Sequence, residues 1–475
     1  MFGQCLNASI CLQTIGIKES IFKIFSSIRT AQKEREKDAT NNNKSPCDTP
    51  MNSLIKIKHI IDVYKKTSHA LISTLEAEKI IHKTVIQNND IIEFECVSVH
   101  NAYGRILFEY IYSKYNVPSF RTSAKHGYAI KANDGTNIKN VLEEGTSSIE
   151  PGTCVLIKPK ASIPDGATAV VQLEYTEKII KECRNSNIDD IEEEIKIRIQ
   201  PKEGENIRPI GFEIKKGERI LEKYSRIGPA EIGLLSYCGI TEVIVIKQKL
   251  VGILSIGDEL EEPGEILGLN YNYDSSGLIL ITLLKQQDFD ILDFGITNDN
   301  VESIISKIET ALEKVDVLVI IGSANDRDLL KPVLQGYFNA TIHFGGVNMS
   351  PGKSTTYATC TFKDTKKYFL CFSRNPTIVP IVTHLFLLPL LNNLRCFEKS
   401  SPLVQARVQT SPILHSRPKY IWTSLKWNNK DKYARIYDTA NYNHNANALL
   451  RLPPRTVEES KLPDSYITAV FHGSN

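Results

Sequence analysis

From Leu250 onward, short apolar runs alternate with segments whose apolar residues recur at helical spacing, and this alternation restricts the possible fold most strongly. The runs Leu250–Leu254, Phe289–Phe294 and Val315–Ile321 are typical of strands, whereas Leu278–Leu284 and the apolar stripe over Val301–Leu312 are typical of helices. Strands and helices in alternation favour a parallel sheet covered by helices on both faces. Ligands bind such sheets outside the carboxyl ends of the strands.

Polar side chains follow each of these three strands. They are Asp258 and Glu259 after the first strand, Asp299 after the second, and Asn325, Asp326 and Asp328 after the third. Taken singly, such carboxylates are most often helix caps or exposed surface groups. Their shared position at strand ends makes them the first candidates for a functional site.

The rest of the chain divides by composition into further parts. We predict a disordered polar arm over residues 1–50, followed by an elongated N-terminal domain over 51–249 whose first helix begins near Leu54. That domain contains a β-rich insertion, in which Glu194–Ile199 alternates as a half-buried strand does. The α/β domain covers 250–396, and 397–475 is predicted to be a small β domain.

Charge and cysteine usage exclude several classes of protein. The chain has 57 basic and 55 acidic residues, a net charge of +2, which predicts no nucleic-acid partner. It lacks an uninterrupted apolar run of the roughly 20 residues that a membrane span needs. Its ten cysteines form no C-x-x-C pair, so a zinc ribbon has no support. Reduced thiols of this kind favour a cytoplasmic location.

Several runs in the order found here are specific to one family. They are Asn206–Ile214, Ile227–Leu235, Ser255–Leu260, Ile342–Gly345, Pro351–Gly352, Asn375–Pro376 and Ala448–Pro454. On these runs the chain, from about Ile91 to Asn475, resembles the molybdopterin molybdenumtransferase family, which includes bacterial MoeA and the carboxyl-terminal E domain of gephyrin.

The resemblance implies a multidomain α/β and β fold. Its parallel-sheet, molybdopterin-binding-like α/β domain is flanked by an elongated N-terminal domain with a β-rich insertion and by a C-terminal β-barrel-like domain. It also implies a homodimer with the site between subunits. The implied reaction takes adenylylated molybdopterin and molybdate, inserts molybdenum into the dithiolene and releases AMP, with Mg²⁺ as the divalent cation.

The same resemblance assigns roles to individual residues. The catalytic candidates are Asp328, Asp299, Glu259 and Glu213, the last standing where the family has Asp. Glu259 and Asp328 are also the metal-binding candidates, since carboxylates suit a hard cation. The substrate-binding candidates are Arg208, Gly257, Asp258, Asp274, Ser275, Gly322, Pro351, Gly352, Asn375 and Pro376.

The chain departs from the family pattern near the expected site. His126 stands where the family has Asp, Lys160 and Arg374 stand where it has glycine, and Gly346 and Ser350 stand where it has basic residues. A lysine resists the positive φ that a turn glycine can adopt. The loop Gly322–Asp328 is two residues shorter than the family's loop. Two lost charge-assisted contacts would reduce substrate affinity by about 10² to 10⁴. We therefore expect turnover below that of an intact family member.

A second hypothesis uses the same fold without catalysis. A catalytically impaired, gephyrin-like scaffold or binding protein would explain the lost glycines and cations. In that case Leu452–Pro454, otherwise a turn before the last strand, would lie near a peptide partner at the C-terminal domain. The sequence leaves open whether catalysis survives, which protein partner binds, and what residues 1–50 do.

Overall fold

The computed structural model of the chain groups its residues into two compact units. It describes residues 69–86, 92–180, 193–397, 403–407, 414–427, 434–437, 446–456 and 466–471. Phe94–Ile246 form one unit, and the described residues before and after that span form the other. The predictions for residues 1–50 and for a helix beginning near Leu54 lie outside the described residues.

Among the described residues up to 246, the structure has two α-helices, of which only the second belongs to the unit Phe94–Ile246. In chain order the elements are α1 (Thr74–Ile86), β1 (Phe94–Ser98), β2 (Ile111–Tyr112), β3 (Thr122–Ser123), β4 (Gly127–Ile130), β5 (Lys139–Leu142), β6 (Thr153–Ile157), β7 (Ala169–Gln172), β8 (Thr176–Ile180), β9 (Glu193–Ile197), β10 (Ile207–Arg208), β11 (Arg219–Leu221), α2 (Pro229–Tyr237) and β12 (Glu242–Ile246).

The unit Phe94–Ile246 consists of one large sheet and three strand pairs. The six-stranded sheet has the order β7-β4-β6-β5-β9-β8 and contains the strand predicted over Glu194–Ile199. The antiparallel pairs β1–β12, β2–β11 and β3–β10 join distant parts of the segment. Leu235 of α2 is buried in a core with Val243 and Val245 of β12.

Lys160 adopts the backbone conformation that its side chain disfavours. Its φ is 68°, and its amide donates to the Ser123 carbonyl at 2.8 Å. The left-handed conformation costs an L-residue about 1–2 kcal/mol, which this unit tolerates. Replacement of the family glycine therefore does not exclude positive φ from this turn.

The second unit contains the α/β sheet and the C-terminal strands. After residue 246 its elements are β13 (Val251–Ile256), β14 (Leu260–Glu261), β15 (Asn272–Tyr273), α3 (Ser275–Gln286), β16 (Ile291–Thr297), α4 (Val301–Leu312), β17 (Val317–Ile321), α5 (Leu330–Gly336), β18 (Thr341–Phe344), β19 (Thr356–Phe362), β20 (Thr365–Phe372), α6 (Ile378–Val382), a π-helical segment (Thr383–Leu387), α7 (Leu388–Leu394), β21 (Leu403–Arg407), β22 (Lys419–Lys426), β23 (Ala434–Tyr437), β24 (Ala448–Leu452) and β25 (Tyr466–Phe471).

The predicted parallel sheet is present and is extended at one side by two further strands, of which β19 runs opposite to the first four strands and β18 runs in the same direction as they do. The strand order is β16-β13-β17-β20-β19-β18, and the first four strands run parallel. β19 and β18 run antiparallel to their neighbours. The β19–β20 turn is made by Lys363 and Asp364, both at positive φ. The sequence does not indicate this turn, because turns of this kind usually contain Gly or Asn.

Helices cover both faces of this sheet, and the face changes between β13 and β17. Leu280 and Leu284 of α3, the helix after β13, share a core with Val251 and Val317. By contrast α5, the helix after β17, lies in the opposite core, which contains α4 and the strand residues Leu254 and Leu318. The carboxyl ends of β13 and β17 therefore flank a topological switch point, where α/β sheets open a crevice for ligands.

The C-terminal strands close into a small barrel in the order β21-β23-β22-β24-β25, in agreement with the predicted β domain. Its core includes Leu425, Ile436, Ala448 and Leu450. The predicted domain boundaries remain a prediction. In the part of the chain that the structure describes, no helix is long and apolar enough to cross a membrane.

Candidate functional site

Four loops meet at the carboxyl edge of the sheet because β16, β13, β17 and β20 run in the same direction. These loops are residues 298–300 after β16, 257–259 after β13, 322–328 after β17 and 373–376 after β20. They contain five carboxylates, Asp258, Glu259, Asp299, Asp326 and Asp328, and two arginines, Arg327 and Arg374. The folded sheet thus brings three of the four candidate catalytic side chains, Glu259, Asp299 and Asp328, to one edge.

A chain of hydrogen bonds connects three of these loops. The Asp299 amide donates to the Asp258 carboxylate at 2.8 Å, and the Ser323 hydroxyl donates to the Asp299 carboxylate at 3.0 Å. Ser323 has a φ of 48°, a left-handed conformation that turns the chain directly after Gly322. The half-buried Asp299 carboxylate is thereby held across the ends of β16, β13 and β17.

Arg374 and Glu259 form an ion pair at the switch point. Arg374 Nη2 lies 2.5 Å from Glu259 Oε1, and the two side chains are 36% and 43% exposed. The turn that carries Arg374 is anchored to α3, because the Ser276 hydroxyl donates to the Arg374 carbonyl at 2.6 Å. Arg374 does not use positive φ, so the chain forms a turn that needs no glycine at this position.

Asp328 stabilises the shortened loop by contacts within the loop itself. One carboxylate oxygen accepts from the Asn325 backbone amide at 2.8 Å and from the Asn325 side-chain amide at 3.0 Å. The Asp328 amide donates back to the Asn325 carbonyl at 3.1 Å. This reciprocal turn replaces part of the glycine-rich segment that the resemblance implies.

Asp326 anchors the same loop to buried positions. Its Oδ1 accepts from Lys331 Nζ at 2.6 Å and lies 3.2 Å from His69 Nδ1. Lys331 is 1% exposed and also donates to the Gly345 carbonyl at 2.6 Å. Burial raises the pKa of Asp326, but the Lys331 hydrogen bond and charge, with His69, outweigh it, so the pKa is lowered.

Other predicted substrate-binding residues act in turns and caps. Asp274 caps α3, accepting from the Gly277 amide at 3.0 Å, and it also accepts from the Ser255 hydroxyl. Asn375 accepts from the Thr377 amide at 3.0 Å. The remaining members, Ser275, Pro351, Gly352 and Pro376, lie beside these contacts or in the turn before β19. Their contact with substrate remains a prediction.

Glu213 and Arg208 belong to the other unit, within Phe94–Ile246. The Tyr237 hydroxyl donates to Glu213, and Arg208 Nη1 lies 3.4 Å from the same carboxylate. The Glu213 hydrogen bond is the main cause that raises the pKa of Tyr237. Arg208 also lies over the Phe212 ring at 5.2 Å. Glu213, Arg208 and Tyr237 form a small polar cluster, and the Phe212 ring packs against its guanidinium.

The residues proposed for Mg²⁺ do not form a ready metal site. Glu259 is committed to Arg374, and Asp328 accepts from the amides of its own loop. Within the described ranges, no three His, Cys, Asp or Glu side chains are grouped so as to hold a metal ion. Mg²⁺ usually keeps several waters and binds one or two protein carboxylates together with substrate phosphates, so Mg²⁺ at Glu259 and Asp328 stays a prediction.

Sequence reasoning misses three residues that organise this edge: Arg374, Lys331 and His69. The sequence marks Arg374 only as a lost glycine, since its reach to Glu259 depends on which strands are neighbours. Asp326 contacts both Lys331, five residues further along the chain, and His69, 257 residues before it. A lone buried lysine in a helical segment is the one available signal, because lysine is almost never fully buried without a partner.

Gly322 allows the close approach of β13 and β17, and we predict that Gly322→Ala destabilises this unit by about 3 kcal/mol or more. Its φ is 106°, and a Cβ there would lie 2.3 Å from the Ile256 carbonyl oxygen. Gly264 is the matched control, because its φ is 107° but nothing lies within 4 Å of its Cβ position. Urea unfolding should show a larger loss for Gly322→Ala than for Gly264→Ala. Equal losses of unfolding free energy in the two variants would show that strain at positive φ, and not the contact with Ile256, causes the whole effect.

Comparison with known proteins agrees with the fold. Residues 72–239 match the MoeA N-terminal region (domain I and II), and residues 252–393 match a probable molybdopterin binding domain. A solved molybdopterin biosynthesis MoeA protein from Pyrococcus horikosii superimposes with a TM-score of 0.66 at 23% identity, covering 85% of this chain and all of that one. At that identity the likeness establishes the fold alone.

Two relatives extend the comparison. Molybdopterin molybdenumtransferase from Staphylococcus epidermidis is 30% identical, with 68% of this chain and 76% of that protein covered. Gephyrin from Dictyostelium discoideum is 31% identical over 74% of this chain, which spans 55% of gephyrin's length. The fold and the two family matches define a MoeA-like multidomain α/β protein. Within that class, the chain belongs to the molybdopterin molybdenumtransferase family.

Proposed function

We propose that the protein inserts molybdenum from molybdate into adenylylated molybdopterin and releases AMP, as a step of molybdenum cofactor biosynthesis. The observation that carries this proposal is the Asp258–Asp299–Ser323 chain at the switch point, in a chain that belongs to this family. Relatives are named for molybdenum cofactor synthesis, which does not favour the scaffold alternative.

Asp299 is the carboxylate best placed to act on reacting atoms. Its backbone is held by Asp258 and its side chain by Ser323, so little reorganisation is needed when substrate binds. A fixed carboxylate can accept a proton from a water or orient a protonated oxygen of molybdate. Asp328 fixes the loop after β17, so the two residues position substrate from either side of the end of β13.

The reaction assay is molybdate-dependent AMP release from adenylylated molybdopterin. We expect AMP to appear when molybdate is present and to fall to background when it is omitted. Because Gly346 and Ser350 replace basic residues, we expect weaker substrate binding than in relatives with an intact pattern. AMP release at the same rate without molybdate would show hydrolysis rather than metal insertion. No release by folded protein at saturating substrate would contradict the proposed function.

We also propose a cytoplasmic homodimer and predict a light-scattering mass of twice 53.4 kDa at micromolar concentration. The family resemblance supports a site built across two subunits. Ile266 and Leu269 are 94% and 91% exposed in the α/β unit, an apolar surface that association would cover. A mass near 53.4 kDa under those conditions would contradict the dimer. A peptide partner at the C-terminal β domain remains a prediction.

A further inference from the structure

The Arg374 side chain crosses the switch-point crevice from the end of β20 to the end of β13. Its Cγ and Cδ lie 3.2 Å from the point that a Cβ on Gly322 would occupy. Its Nη1 lies 2.1 Å from the corresponding point on Gly257, and its Nη2 reaches Glu259. The two glycines therefore provide the space in which the guanidinium lies.

The guanidinium has an unused donor in this position. Nη1 is buried and has no hydrogen-bond partner among the described residues, whereas Nη2 pairs with Glu259. A buried donor without an acceptor costs free energy, so a native structure that keeps one calls for an explanation. A ligand that supplies the missing acceptor would explain it.

We propose that Arg374 binds a tetrahedral oxyanion of the substrate at the switch point, and that Glu259 is a positioning residue that holds the guanidinium until the oxyanion binds. The inference rests on the proposed function and deepens it. The planar fork of Nη1 and Nη2 matches two oxygens of a phosphate or molybdate group. Binding through both nitrogens requires Glu259 to release Nη2.

The surroundings favour this role over a fixed structural pair. The four strand-end loops contain five carboxylates, so an approaching anion needs a cation to offset their repulsion. Arg374 supplies a cation between Gly257 and Gly322, at the ends of β13 and β17. The Arg374 and Glu259 side chains are both more than a third exposed, so an anion can reach the pair and the freed carboxylate can turn into water.

Calorimetric titration of the full chain with inorganic phosphate, molybdate and AMP tests the inference. We expect Arg374→Gln to weaken binding about ten-fold or more, Arg374→Lys to lie between it and wild type, and Glu259→Gln to tighten binding. Lys363→Gln is the matched control, since it also removes one positive charge from an exposed ion pair in the same unit and should leave binding unchanged. If Arg374→Gln weakens the binding of only phosphate or only molybdate, that oxyanion is the group that Arg374 binds.

Several results would overturn the inference. If Arg374→Gln binds the probes as tightly as wild type, the arginine has only a structural role. If it binds them more tightly, the arginine side chain blocks the site. Wild-type protein that binds none of the three probes at millimolar concentration would also exclude the site. Glu259→Gln is an independent test. Its side chain is 43% exposed, so we expect no effect on folding, and we expect tighter binding of the probes. Loss of probe binding in Arg374→Gln without molybdate-dependent AMP release by wild type would leave the oxyanion site standing and reject the proposed reaction.

Discussion

Asp326→Ala is expected to lower the free energy of unfolding by about 3 kcal/mol at neutral pH. The substitution leaves the ammonium of Lys331 buried, with the Gly345 carbonyl as its remaining partner in the described contacts. Only the Lys331 charge of this pair is buried, at 1% exposed against 40% for Asp326, so the cost of leaving it without its partner lies at the low end of the range for buried pairs. Urea unfolding followed by circular dichroism measures the change.

The double variant separates this mechanism from a general effect of mutation. Lys331→Met removes the buried charge, and the 40% exposed Asp326 carboxylate can then be solvated, so it should cost less than Asp326→Ala. Adding Asp326→Ala to Lys331→Met should have little further effect, because the charge it would strand is already gone. A Lys331→Met loss larger than that of Asp326→Ala would contradict the account.

The pH dependence of the same variants follows from the lowered pKa of Asp326. A carboxyl whose pKa is lower in the folded state stabilises the fold at pH values above its unfolded pKa, which is about 3.9. That contribution is lost as the pH falls through the lower, folded pKa. The stability difference between wild type and Asp326→Ala should therefore shrink as the pH falls below about 4. A difference that stays constant into acid would exclude the Lys331–Asp326 charge pair as its source.

Asp299→Asn is expected to reduce molybdate-dependent AMP release by about 10²-fold or more, the usual contribution of a positioned acid–base group. The amide keeps the size of the side chain but cannot take up a proton. Asp328→Asn should also reduce release strongly, partly through the 325–328 turn that its carboxylate maintains. Steady-state kinetics on both variants, with KM and kcat separated, distinguish proton transfer from positioning.

The matched control for these two variants is Asp364→Asn. Asp364 is exposed in the β19–β20 turn at a φ of 61°, which asparagine also adopts readily. Its activity should equal that of wild type. If Asp299→Asn and Asp364→Asn were equally active, the strand-end carboxylate chain would have no catalytic role.

The amino-acid sequence alone predicts the edge at which the site lies, because apolar periodicity marks where buried strands end. It assigns Asp258, Glu259, Asp299 and Asp328 to strand ends, and the folded sheet brings all four to that edge. Local patterns do not reveal what each carboxylate contacts. The Arg374–Glu259 pair joins residues that are distant in the chain, and it depends on the order in which β13, β17 and β20 lie in the sheet.

Backbone conformation is the second limit of sequence reasoning. Lys160 and the Lys363–Asp364 turn use positive φ without glycine, and Arg374 replaces a glycine without using positive φ. Residue type gives only a preference for these conformations, which tertiary contacts can override. Loss of a family glycine therefore says little by itself about whether the turn, or the chemistry beside it, is retained.

The most direct test of the central claim counts two products in one sample. In a single turnover of wild-type protein with adenylylated molybdopterin and molybdate, the AMP released and the molybdenum bound by the pterin dithiolene would both be measured. We expect equal molar amounts of the two, appearing at the same rate. AMP released without molybdenum in the pterin, or neither product from folded protein, would contradict it.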